Sequence, residues 1–171
     1  MIKKLYQKII SFLVLLGLLL SIIPIPIQKT FSAHELKLDS PSYWIDTTVS
    51  IDGYIYLNLL SPSLFKGQLR ISTYPFTTNS DDLYLEINNK TGAPLIYKTG
   101  ETERIPGKVF FSTFFNDIAI IVFEGYAENK NLPLNASNPK GSWGTKDGYC
   151  IVSSSTRDKA IKFLSFNNII S

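Results

Sequence analysis

The segment Val49-Ser50-Ile51-Asp52-Gly53-Tyr54-Ile55-Tyr56-Leu57-Asn58-Leu59 alternates apolar and polar side chains on both sides of an Asp-Gly pair. A period of two puts one set of side chains on each face of a strand. Asp-Gly between two such runs is a hairpin signal, because Gly accepts positive φ at no steric cost. A turn is therefore expected at Asp52-Gly53.

The same period continues downstream. Leu69 and Ile71 oppose Arg70 and Ser72, and Leu83, Leu85 and Ile87 oppose Asp82, Tyr84 and Glu86. Each reads as a strand with one wet face. Residues 88–94 form a turn cluster, followed by a short strand at Leu95–Lys98 and a turn at Thr99-Gly100. Val109–Phe115 suits a strand. Ile118–Phe123 is apolar on both faces, as in a central strand covered on each side. Tyr149–Ser153 is the last strand.

The period then changes. Ser155 with Asp158 three residues on suggests a capping box. Ala160, Ile161, Phe163 and Leu164 fall on one helical face, with Lys159 and Lys162 away from it. That stripe needs a partner, and a sheet is the only large one available. The expected fold is mainly β (α+β): seven or eight antiparallel strands in a barrel or sandwich, with one C-terminal amphipathic helix on it.

Upstream the chemistry differs. Lys3, Lys4 and Lys8 precede a run from Ile9 to Ile27 that holds no charge. A basic start followed by an apolar run is the layout of an export signal. The run is also nearly long enough to span about 30 Å of hydrocarbon, though Pro24 and Pro26 would break a helix there. Two fates stay open: cleavage after Ser32 or Ala33, or retention as a membrane anchor. Either way residues 1–33 are expected to be a signal peptide or anchor, and 34–171 one extracytoplasmic domain. Basic residues stay on the cytoplasmic side, so the domain is expected outside the cytoplasm, secreted or at the cell surface. The abundance of Ile, Lys and Asn favours a bacterial source.

The formal charge of +3 belongs to that leader. Four of 17 bases (Lys3, Lys4, Lys8, Lys29) precede residue 34, leaving 13 against 14 acids. A near-neutral surface gives nucleic acid no electrostatic footprint. About 138 residues make one domain by size. Cys150 is the lone cysteine, so no internal disulfide forms, and its apolar surroundings suggest a buried, inert thiol. The lone histidine, His34, is expected near a loose mature N-terminus.

Candidate chemistry is sparse. Asp81-Asp82 lacks the ligand spacing of a calcium loop and reads as a solvated turn. No metal or other cofactor is expected. Glycoside hydrolysis needs two carboxylates roughly 5 to 9.5 Å apart. Asp117, Glu101 and Glu124 are the weak catalytic candidates; Asp117 precedes the most apolar strand, but an Asn116-Asp117 turn is the favoured reading of it. Ser153-Ser154-Ser155 lacks the Gly-x-Ser-x-Gly elbow. Trp143 lies in a polar, Gly-flanked loop and is the main candidate binding residue, joined by Tyr126 and Trp44 near strand ends; the alternative is a Trp folded back to plug the end of the barrel. Asn89-Lys90-Thr91 and Asn135-Ala136-Ser137 match the glycosylation acceptor pattern. These features point to an exported or membrane-anchored envelope protein that binds a protein, or a small apolar or sugar ligand, without catalysis, like an immunity or inhibitor module. The competing expectation is a small cell-wall hydrolase with paired carboxylates.

Overall fold

The computed structural model describes the chain apart from residues 1, 59–61, 79, 88–90, 113–114, 133–138, 140 and 171, and apart from the side chains of 2–3 and 18–22. Both glycosylation patterns fall wholly or partly outside the described residues. Helix α1 (Ile2–Ile22) leads into eight strands: β1 (Ile25–Lys37), β2 (Ser40–Tyr56), β3 (Ser63–Ile71), β4 (Leu83–Ile87), β5 (Ala93–Thr99), β6 (Thr102–Phe111), β7 (Ile118–Val122) and β8 (Tyr149–Val152). A short 3-10 turn at Pro75–Thr77, α2 (Glu124–Glu128) and α3 (Arg157–Phe166) complete the fold.

All paired strands are antiparallel, in the order β4-β3-β2-β1-β8-β7-β6-β5. Most sequence neighbours are therefore spatial neighbours, and β8 closes onto β1. The seam lies between β4 and β5. There Asp81 N donates to Lys98 O at 2.9 Å, and the buried Tyr97 hydroxyl crosses behind it to Leu69 O on β3 at 2.8 Å. The result is a nearly closed eight-stranded barrel.

Inward-facing side chains fill the interior. Phe65, Leu69, Leu83, Leu85, Leu95, Ile118, Ile120 and Ile151 are at most 1% exposed. Fully burying one such side chain contributes about 1.5–3 kcal/mol. Every residue of β7 and β8 is buried, because their outer side chains Ala119, Ile121, Cys150 and Val152 lie under Ala160 and Leu164 of α3. A ten-residue helix is marginal in isolation, so this contact is what holds α3. The sequence reading of a central strand covered twice is met at β7.

Three local expectations change. Asp52-Gly53 is no turn: β2 runs through it, and Gly53 faces Gly67 of β3. A Cβ on Gly53 would lie 2.3 Å from Lys66 O and 2.7 Å from the Gly67 Cα. Gly is there for close backbone approach, the second reason strands use it. The cap of α3 is Thr156, whose hydroxyl accepts from Lys159 N, and not Ser155. The sixth strand begins at Thr102, upstream of Val109, and Phe115 has left it with φ 54°.

The expected division at residue 34 falls inside a strand. Among the described residues no helix is long and apolar enough to cross a membrane. Helix α1 ends at Ile22, and β1 starts at Ile25 within the stretch read as leader. Residues 25–36 pair in register with β2, and Phe31 and Ala33 are buried. Lys29 belongs to this strand and donates to Phe115 O at 2.6 Å. His34 is likewise pinned between β2 and β8 rather than loose.

Candidate functional site

The three candidate acids are not brought together as a catalytic pair. Glu101 is exposed in the turn that opens β6, and Glu124 is exposed in the first turn of α2. Asp117 lies beyond the other end of β6, roughly 30 Å along a ten-residue strand from Glu101. Its backbone closes a turn, with its amide donating to Ser112 Oγ at 2.7 Å and its carbonyl accepting from Ser112 N at 3.0 Å. That is the turn role weighed from sequence.

The fold does assemble Ser, His and Asp on the outer face. His34 Nε2 is 3.2 Å from Asp46 Oδ1, and its ring stacks on Trp44 at 4.3 Å between centroids. Nδ1 faces Ser154 O. Both ring nitrogens thus meet acceptors, while the Ser153 and Ser154 hydroxyls turn to Ile118 and Thr156. No relay from a hydroxyl through this His is built. Among the described residues no group of three or more His, Cys, Asp or Glu is placed to hold a metal. Burial pushes the Cys150 thiol up to about 12, against a small opposing effect of Trp143, so the thiolate nucleophile is scarce at neutral pH.

The three aromatic candidates divide between two places. Tyr126 is buried inside one end of the barrel, 5.8 Å from Phe76. Trp44 and Trp143 flank the outer cluster beneath α3. Trp143 Nε1 donates to Tyr149 O at 3.0 Å, which folds the indole back onto the start of β8. Trp143→Ala is expected to lower stability by about 2 kcal/mol, roughly half the cost of a fully buried Trp. A urea melt unchanged by the substitution would instead mark the side chain as a pure contact residue.

Two features were not singled out from sequence. The first is a charged knot inside the barrel. Glu35, fully buried on β1, accepts from Tyr43 Oη at 2.9 Å and pairs with Lys130 Nζ at 2.8 Å. Lys130 also reaches Tyr43 Oη at 3.3 Å and lies 5.6 Å from the Tyr74 ring centre. Among the described residues the buried Tyr74 hydroxyl finds no hydrogen-bond partner. Burial first, and then the nearby Glu35 carboxylate, hold both tyrosines above the ordinary phenol range. The knot pins the segment after α2 across the barrel mouth.

The second is an outer row of tyrosines. Register places Tyr54, Lys66 and Tyr84 side by side across β2, β3 and β4. Tyr54 is 50% and Tyr84 63% exposed. Tyr54 borders an open depression of about 400 Å³, lined also by Asp52, Tyr56, Lys66, Gln68 and Asp82 around the glycine pair, whereas Tyr84 borders a neighbouring one with Asp81, Asp82 and Glu103. The outward phase of Tyr54, Tyr56 and Tyr84 was readable in the alternation, but their adjacency needed the register.

Comparison with protein-family models, with curated proteins and with solved structures finds no match to this chain. The class it defines is therefore structural: a filled, nearly closed antiparallel barrel with a helix on its outer wall and an apolar helix before it.

Proposed function

We propose that this chain is an exported interaction module of the cell envelope, associated with the bilayer through α1, that recognises its partner with its outer surface. The observation that carries this reading is the filled interior: apolar side chains occupy the space where a carrier barrel would hold a ligand. The scattered acids speak against a wall hydrolase. Support for export is the basic start of α1 and the apolar side chains from Leu5 to Leu16, each 41–63% exposed. An immunity- or inhibitor-like role fits such a module.

The test is a fusion of the full chain to alkaline phosphatase, which needs disulfides and so matures only outside the cytoplasm. Activity that disappears when residues 2–22 are deleted is expected. An inactive fusion of the intact chain overturns the export reading. Clearing of wall material in a gel by the purified protein would move the assignment to the hydrolase.

A further inference from the structure

We infer that the part of the outer barrel wall nearest α1, centred on Tyr54, Lys66 and Tyr84, seats against a lipid bilayer surface. The inference rests on the proposed association of α1 with the membrane and says which way the barrel then faces.

Register resolves the wall into successive cross-strand rows. The central one is Pro26, Tyr54, Lys66 and Tyr84. The row on the α1 side carries Tyr56, Leu64 and Glu86. Beyond it, Ile23 and Leu57 are 55% and 39% exposed; Ile25 instead pairs with the buried Ile55, in the inward phase of β1. The row on the far side is Gln28, Asp52 and Gln68. Polarity is thus graded along the strands: aliphatic beside the helix, tyrosines next, then amides and the carboxylates of Asp52 and Asp82. Glu86, on the short edge strand β4, is the one acid in the inner row.

That gradient matches the depth profile of a membrane interface. Tyrosine places an apolar ring towards the acyl region and its hydroxyl at the headgroups. Lys66, with Nζ 5.3 Å from the Tyr84 ring centre, lies where a long basic side chain reaches anionic headgroups with its stem against apolar surface. A bilayer suits this wall better than a second copy of the chain because the patch is continuous with α1. Only Ile23 and Pro24 separate helix from strand, a reach of about 7 Å. Wherever α1 meets lipid, this wall is beside it.

The experiment uses the full chain in vesicles of equimolar phosphatidylglycerol and phosphatidylcholine. An environment-sensitive fluorophore is attached to one introduced cysteine at a time: Phe12→Cys on α1, Tyr54→Cys, Tyr84→Cys, or Ile105→Cys. Ile105 is exposed on β6, four strands round the barrel from β2, and buried Cys150 does not compete for label. The expected result is a blue-shifted, several-fold brighter emission at 12, 54 and 84, with 105 unchanged from water. If 12 shifts while 54 and 84 behave like 105, the seat is overturned and the membrane reading of α1 stands. If 12 itself stays wet, that reading falls and takes the seat with it. Equal shifts at 54 and 105 would also overturn the orientation.

Discussion

Lys130→Ala will destabilise the barrel by about 3–5 kcal/mol, because it strands a buried carboxylate without its cation. Glu35 is 0% exposed, and among the described residues Lys130 at 2.8 Å and Tyr43 at 2.9 Å stabilise its charge. Removing the first leaves a neutral hydrogen bond to hold a full charge away from water. The reverse substitution is milder. In Glu35→Gln the amide oxygen still accepts from Tyr43, and the Lys130 side chain, 22% exposed, is long enough to turn its ammonium to solvent. A loss of about 1–2 kcal/mol is expected there. Replacing both by apolar residues, Glu35→Leu with Lys130→Met, should recover most of the Lys130→Ala loss, since the desolvation cost disappears with the charges. Urea unfolding of the three variants measures this asymmetry. Equal losses for Lys130→Ala and Glu35→Gln would show that Glu35 is not held as an ionised, dehydrated group.

A chain that begins at His34 will not fold, whereas one that begins at Pro24 will. The shorter chain loses Phe31 and Ala33 from the core and leaves β2 unpaired along the positions that faced residues 25–33. Deleting a buried Phe side chain alone costs about 3–5 kcal/mol, and each lost backbone hydrogen bond adds about 1 kcal/mol. Together these exceed the lower part of the range, about 5–15 kcal/mol, that holds a domain folded. Circular dichroism and denaturant melts of the two truncations decide it. A cooperative melt from the chain starting at His34 would show that β1 upstream of it is dispensable. The same result bears on export, because a peptidase cut after Ser32 or Ala33 would remove that half-strand.

Several strands were legible because burial is one-sided. Where Leu83 and Leu85 face the core and Tyr84 faces water, the alternation is visible without a fold. At β7, apolar residues on both faces correctly implied two coverings, and α3 announced one of them through its stripe. The same property hid β1. Its Ile25-Pro26-Ile27 start follows the apolar helix without a polar break, so helix and strand read as one run. Asp52-Gly53 was misread for a related reason: Gly serves both turns and close strand approach, and only the opposing Gly67 distinguishes them.

Local order along the chain, by itself, determined the antiparallel strands, the terminal helix, the near-neutral body and the basic, apolar beginning, because periodicity and charge are properties of neighbours in sequence. Only the tertiary structure decided that β8 closes onto β1, that Glu35 meets Lys130 from 95 positions away, and that Tyr54, Lys66 and Tyr84 stand in one row. Those depend on register and closure. They are set by how faces pack against one another, and no stretch of adjacent residues encodes that packing alone.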